Sequence, residues 1–95
     1  MYKNLNPLLH SQLRLKIMAY LISKGKSEFI ELKELTKATA GNISVQLKKL
    51  EKAKYISITK GFKNNYPHTT IEIMKEGIDA FEEYVQALKQ YIEKQ

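Results

Sequence analysis

The spacing of the apolar residues changes directly after Lys54. Before that point, residues 39–54 show a helical pattern whose narrow apolar stripe consists of Ile43, Leu47 and Leu50. After it, isoleucines alternate with polar residues in two short runs, residues 56–59 and residues 70–73. Helical spacing returns over residues 76–94. This order predicts an α+β domain, mainly helical, in which a β-hairpin lies between two helices.

The predicted helix over residues 39–54 has a polar and cationic face opposite its apolar stripe. This face and its two shoulders consist of Gly41, Asn42, Ser44, Val45, Lys48, Lys49 and Lys52. A helix that enters the major groove of DNA needs small residues near its start, amides and hydroxyls for base edges, and lysines for phosphates. A solvated, lysine-rich surface helix has the same composition, so this stretch alone leaves both interpretations open.

The formal net charge of +6 is concentrated in one part of the chain. Seven lysines lie between residues 36 and 63, where Glu51 is the single acid, whereas residues 64–95 carry more acids than lysines. A basic patch beside near-neutral or acidic regions is typical of a protein that binds a polyanion. The charge distribution therefore favours a nucleic-acid-binding helix over an ordinary surface helix.

The composition excludes several other classes of protein. The 95 residues include no cysteine, which removes disulfide frameworks, thiolate zinc sites and cysteine nucleophiles. No apolar run reaches the length of about 18 residues that a membrane helix requires, and no secretion leader is recognisable, so a cytoplasmic protein is expected. His10 and His68 have no evident acidic partner, and no phosphate loop, HExxH motif or nucleophile elbow occurs. We therefore expect neither an enzyme nor a bound metal or cofactor.

The remaining segments complete one predicted domain over residues 1–95. We predict helices over residues 7–24, 31–38, 39–54 and 75–94, a short strand over 27–30 and a hairpin over 55–74. Pro7 favours a helix start, Gly25 a helix end, and the hydroxyl of Thr39 can cap the third helix. A long loop is expected at residues 61–69, which are rich in turn formers. Three helices followed by a hairpin predict a winged helix-turn-helix with an added C-terminal helix.

The C-terminal segment carries an apolar stripe too extensive for a helix exposed to water. Its members are Ile78, Phe81, Tyr84, Val85, Leu88, Tyr91 and Ile92. The stripe spans only about two heptads, which is short for an autonomous coiled coil. We expect it to pack on the domain, on a second copy, or on both. With the N-terminal Leu5, Leu8 and Leu9, it forms the predicted interface of a homodimer.

With the elements in this order, the sequence resembles winged-helix transcriptional regulators related to MarR and ArsR, above all a small group without a separate effector domain. The resemblance is strongest at residues 41–44 and 47–51, at Ala53 with residues 55–56, and then at residues 60–62. It implies a homodimer whose third helix reads the major groove of double-stranded DNA. It also implies a set of DNA-contacting positions in this chain.

The resemblance assigns roles to residues of the third helix and of the hairpin, the wing. The base-proximal positions are Asn42, Ser44, Val45 and Gln46, and the phosphate contacts are Lys48 and Lys49. The wing positions that approach DNA are Lys60, Lys63, Asn64 and Asn65. Two departures from the family pattern stand out. Lys54 replaces the usual glycine after the third helix, and Met74 replaces the usual threonine cap of the last helix.

Three functions remain open at the level of the sequence. The first is a sequence-specific regulator that binds double-stranded DNA as a homodimer on an inverted repeat. The second is a winged-helix module for protein–protein interaction, without specific DNA binding. The third is a winged helix that binds nucleic acid non-specifically or binds RNA. The sequence does not indicate whether a small-molecule effector binds.

Overall fold

The computed structural model describes residues 2–93 and contains four helices and a three-stranded sheet within that range. In chain order the elements are α1 (Gln12–Lys24), β1 (Lys26–Glu28), α2 (Phe29–Thr36), α3 (Ala40–Lys52), β2 (Ile56–Lys63), β3 (Tyr66–Ile73) and α4 (Lys75–Ile92). The ends of the predicted domain, Met1 and Gln95, and the predicted end of the last helix, Lys94, lie outside the described residues. The predicted α+β fold, mainly helical, is confirmed.

Helix α1 begins at Gln12 and not at Pro7, so the predicted start is wrong. The side-chain oxygen of Asn6 accepts hydrogen bonds from the backbone nitrogens of Leu8 (2.9 Å) and Leu9 (3.3 Å), which closes a separate turn. Ser11 then adopts an extended conformation, and its hydroxyl accepts from the backbone nitrogen of Arg14. The extended Ser11 separates this turn from α1, and its hydroxyl satisfies one of the backbone N–H groups that the first turn of α1 leaves free.

Helix α2, in contrast, begins earlier than predicted, at Phe29, and β1 is correspondingly shifted to Lys26–Glu28. The reason is a reciprocal cap in which the side chain of Glu31 accepts from the backbone nitrogen of Glu28 at 3.0 Å, while the Glu28 side chain accepts from the backbone of residue 31. The antiparallel sheet has the order β1-β3-β2. Strand β3 therefore lies at its centre.

The wing, which we define as residues 56–73, ends in a tight turn and not in the predicted loop over 61–69. Strands β2 and β3 pair continuously up to Lys63 and Tyr66. Asn64 and Asn65 form the turn, with positive φ angles of 53° and 68°. Two successive left-handed residues match the twist of a hairpin, and asparagine tolerates that conformation better than most residues. The loop prediction is wrong because the strands continue beyond the apolar alternation.

The core lies between the helices and the inner face of the sheet. The stripe of α3 is buried as predicted: Ile43 and Leu50 are fully buried and Leu47 is nearly so. Leu9 and Tyr84, which were predicted to contact a second copy, are also buried within the protomer, at 0% and 4% exposure. Side chains this deeply buried offer almost no surface to a partner, so these two residues belong to the core.

The end of α3 is closed by Lys54 in the left-handed conformation, with φ of 65°. The nitrogen of Tyr55 donates to the carbonyl of Leu50 (3.0 Å), and the nitrogen of Lys54 donates to that of Glu51 (2.9 Å). This is the bonding pattern of a glycine-type helix end, formed here by a lysine at a cost of up to about 1 kcal/mol. Met74 precedes α4 without a side-chain cap. Within residues 2–93, no helix combines the length and apolarity needed to cross a membrane.

Candidate nucleic-acid interface

Helix α3 presents its polar face to solvent along its whole length. The hydroxyl of Thr39 caps the helix by accepting from the backbone nitrogen of Asn42 at 3.1 Å. Beyond the cap, this face exposes Gly41, Asn42, Val45, Lys48, Lys49 and Lys52, while Ser44 and Gln46 are half-buried. Ala40 and Glu51 are also exposed, and Glu51 is the single acid of the helix. No acid occurs in the first turn, and two lysines stand in the last one. The face is therefore uncharged at its start and cationic further along, as the sequence pattern indicated.

One face of the wing continues beyond the part of the sheet that covers the core. Paired residues of antiparallel strands share a face, so Lys60 and Thr69 stand together, followed by Phe62 and Pro67. Closer to the core the same face carries isoleucines, which pack against the helices. Phe62 is 79% exposed. A cationic and an aromatic side chain thus project from the wing on the side that faces the helices.

An open groove of about 510 Å³ separates α3 from the wing. Ser44 and Lys48 line it from α3, and Lys60 lines it from β2. Glu51 is the single acid among the lining residues. Three of the predicted contact residues, from two separate elements, therefore share one surface.

The other predicted wing residues lie nearer the tip. Lys63, Asn64 and Asn65 are exposed, and Lys63 stands on the opposite face of the hairpin from Lys60. Its ammonium group lies 3.9 Å from the carboxylate of Glu28, and the His68 ring lies 3.7 Å from the same carboxylate. An exposed pair at that distance is weak, so Lys63 can exchange Glu28 for another anion at little cost.

Gln46 differs from the other predicted base-proximal residues, because its side chain is held by neighbours. Its amide oxygen accepts a hydrogen bond from the guanidinium of Arg14, and its amide nitrogen donates to the side-chain oxygen of Asn42 at 2.8 Å. The Arg14 guanidinium also donates to the carbonyl oxygen of Leu8 at 2.5 Å. Arg14 was not predicted as a functional residue. The available signal was the one arginine of the sequence, which stands between Leu13 and Leu15.

The clearest pKa shifts among the described residues lie away from this surface. The backbone N–H of Glu28, then the hydroxyl of Tyr20, lower the pKa of the Glu31 carboxyl. Hydrogen bonds to Tyr20 and then Glu31 raise the pKa of Lys24. Both shifts reflect exposed polar contacts that support α1 and α2. Residues 2–93 contain no group of three or more His, Cys, Asp or Glu side chains that could hold a metal ion.

Comparison with known proteins identifies the class. The profile of the family described as "Winged helix DNA-binding domain" matches residues 13–92. The chain belongs to this family. The family and its fold are those of regulators and not of enzymes.

Individual relatives agree with the family assignment. An uncharacterized protein of Methanocaldococcus jannaschii is 35% identical over 81 residues, which are 85% of this chain and 88% of that protein. The structure of a transcriptional regulator homologue from Pyrococcus horikoshii OT3 superposes with a TM-score of 0.83 at 26% identity, over 90% of this chain and 84% of that chain. A mutant of MarR from E. coli, solved in complex with operator DNA, has a TM-score of 0.73 at 15% identity, over 88% of this chain and 59% of that one. The predicted winged-helix fold and the resemblance to regulators of the MarR type are thus confirmed.

Proposed function

We propose that this protein is a sequence-specific transcriptional regulator that binds double-stranded DNA as a homodimer on an inverted repeat. The observation that carries the proposal is the shared surface of α3 and the wing. Lys48 of α3 and Lys60 of β2 line one open groove, beside a helix face of small and polar residues. A helix and a cationic hairpin on one surface can contact a major groove and the backbone beside it at the same time.

In this proposal α3 enters the major groove. The side chains nearest the base edges are Asn42, Ser44, Val45 and Gln46. Asn42 and Val45 are exposed, and Val45 can contact the methyl group of thymine. Lys48 and Lys49, one turn further along and also exposed, contact phosphates. The split between base and phosphate contacts follows the change from uncharged to cationic residues along the helix.

The wing follows the flanking backbone or enters the minor groove. Lys60 stands closest to α3, and Lys63, Asn64 and Asn65 stand at the tip. The tight turn fixes the position of the tip, because a two-residue connection leaves the hairpin little freedom. The wing thereby holds two further cations, Lys60 and Lys63, at a fixed distance from α3.

The second copy is proposed to pack against α4. Ile78, Val85 and Ile92 recur at intervals of seven residues on a side of α4 turned away from the buried Tyr84. Ile92 and the neighbouring Tyr91 remain 69% and 44% exposed. Phe81 and Leu88, both half-buried, lie beside this strip on α4. The half-buried Leu5 and Leu8 of the N-terminal segment are proposed to complete the interface. A two-fold axis through the strip would relate two copies of α3, which should stand roughly 34 Å apart to read successive major grooves.

Selection of bound duplexes from a random pool tests the proposal directly. We expect enrichment of one inverted repeat that outcompetes bulk DNA by at least about 10³-fold. The Asn42→Ala variant should lose base preference at one position of each half-site. The Lys48→Ala variant should bind all sequences more weakly, without changing the preference.

The alternatives have distinct outcomes in the same experiment. Binding without enrichment of any sequence would favour the non-specific interpretation. Absence of duplex binding even at low salt would contradict both DNA-binding functions, and would leave RNA binding and the module for protein–protein interaction. The enrichment experiment therefore separates specific DNA binding from each of the other functions that the sequence leaves open.

A further inference from the structure

We infer that Arg14 and Gln46 are positioning residues that fix the side-chain amide of Asn42 as a hydrogen-bond donor toward DNA, so that this position reads guanine. The inference rests on the proposed function. It assigns a specificity role to two side chains that need not touch a base. Its basis is the row of hydrogen bonds from the carbonyl of Leu8 through Arg14 and Gln46 to Asn42.

The orientation of the Gln46 amide follows from the chemistry of its neighbour. A guanidinium group carries five N–H donors, no acceptor, and a permanent charge. The atom of Gln46 that faces Arg14 must therefore be the oxygen, and the nitrogen must face the other way. The contact with the Leu8 carbonyl, at 2.5 Å, holds the guanidinium in place. Arg14 thus determines which end of the Gln46 amide points toward Asn42.

The orientation of the Asn42 amide follows from that of Gln46 in the same way. Residues 42 and 46 are one turn apart on α3, so their side chains are neighbours. Because the Gln46 nitrogen is a donor, the atom of Asn42 that it meets at 2.8 Å must be the oxygen. The oxygen and nitrogen of an amide lie on opposite sides of its carbon. The Asn42 nitrogen, with its two N–H groups, therefore points away from Gln46 on an exposed side chain.

This orientation has a consequence for base reading. An asparagine that reads adenine uses both amide atoms, accepting from N6 and donating to N7. Here the oxygen is engaged by Gln46, which leaves the donors for DNA. Guanine presents two acceptors, N7 and O6, and no donor in the major groove, whereas adenine also presents a donor and cytosine presents only a donor. Thymine presents one acceptor, O4, beside its methyl group, so two N–H donors find two acceptors and no competing donor only on guanine. A donor at this position matches guanine best.

The Gln46→Glu variant tests the orientation. A carboxylate still accepts from Arg14, but it cannot donate to Asn42, so the Asn42 amide should rotate and turn its oxygen outward. The preferred base should then change from guanine to one that presents a donor, adenine or cytosine. The Arg14→Met variant frees the Gln46 amide without adding charge, and should weaken the guanine preference. Gln86→Glu, the same substitution at an exposed position of α4, is the matched control.

The measurement is duplex selection from the random pool with the full chain and each variant, after thermal unfolding has shown that the variants fold. Loss of preference in Asn42→Ala identifies the base pair concerned. We expect the wild type and Gln86→Glu to prefer guanine there by roughly 5- to 150-fold, the range of one good base contact, and Gln46→Glu to prefer a different base. The same base selected by the wild type and Gln46→Glu would overturn the inference. Failure of the wild type to enrich any sequence would instead overturn the proposed function.

Discussion

Gly77 allows the first turn of α4 to lie directly against the backbone at the end of α3. A Cβ atom at this position would stand 2.4 Å from the carbonyl oxygen of Tyr55 and 3.1 Å from the side chain of Ile73. The same carbonyl accepts a hydrogen bond from the nitrogen of Met74 at 2.9 Å. The close approach ties α4 to the segment that links α3 with the wing. A larger residue would have to separate these elements.

Gly77→Ala should therefore lower the free energy of unfolding by about 1–3 kcal/mol, the usual cost of overpacking. Gly41→Ala is the matched control, since it also lies in a helix but a Cβ atom there has no neighbour within 4 Å. It should raise stability by up to about 1 kcal/mol, because alanine favours helix. Urea unfolding of both variants measures the difference. Equal stabilisation by the two substitutions would show that the contact with Tyr55 is not restrictive.

Residues whose role is local can be recognised in the sequence, whereas residues whose role depends on partners far away in the chain cannot. Gly25, with φ of 88°, and Thr39 could be predicted because helix ends have recognisable chemistry. Gly77 and Arg14 could not, since their partners, Tyr55 and Gln46, lie 22 and 32 residues away in the chain. Neither contact leaves a periodic signal in the sequence.

At the scale of elements, the start of α2 depends on one carboxylate. The side chain of Glu31 accepts from the backbone nitrogen of Glu28 (3.0 Å) and from the hydroxyl of Tyr20 (2.8 Å), and these bonds lower its pKa. A lowered pKa in the folded state means that folding favours the charged form. The contribution to stability is therefore complete above the unfolded value of about pH 4.3, and is lost as the pH falls through the folded value.

Unfolding measured between about pH 6 and pH 3 should show this loss. The free energy of unfolding of the Glu31→Gln variant should fall less steeply with acid than that of the wild type. Glu34→Gln, which removes an exposed acid from the same helix, should retain the wild-type slope. Identical slopes for all three proteins would exclude Glu31 as a source of the acid sensitivity.

The wing shows why element boundaries were harder to predict than element types. The alternation of apolar and polar residues ends near Ile58 and begins again near Ile71, because only that part of the hairpin covers the core. Beyond it both faces meet solvent and the alternation disappears, although the strands continue for several residues. The turn signal was the pair Asn64-Asn65. It was hidden among other turn-forming residues.

At the scale of the whole molecule, the domain is elongated, with extents of 57 × 25 × 21 Å and a radius of gyration of 14.5 Å. A compact chain of this length would have a radius of gyration of about 12 Å. The order of the elements, and from it the fold, could be predicted from the sequence, because the apolar residues of helices and of strands recur with different periods. The buried and the exposed residues of α4 could not be told apart, because one apolar stripe contains both the core residue Tyr84 and the exposed Ile92.

The proposed dimer makes a prediction at this scale. Val85→Glu places a charge at the centre of the proposed strip on α4, and should convert the dimer to a monomer in sedimentation experiments. Gln86→Glu adds a charge at the next residue, on the side facing solvent, and should remain dimeric. The monomer should bind an inverted repeat no more tightly than a single half-site. A dimer that survives the Val85 substitution would place the interface elsewhere.

The most direct test of the central claim, that α3 and the wing together bind DNA, is the salt dependence of duplex binding. Fluorescence anisotropy of a labelled duplex gives the slope of log K against log salt for the wild type, Lys48→Ala, Lys60→Ala and the control Lys16→Ala on α1. We predict strong salt dependence, with a slope that decreases in magnitude by about 0.9 per protomer in each of the first two variants and stays unchanged in the control. Salt-independent binding, or slopes that are the same in all four proteins, would contradict the account.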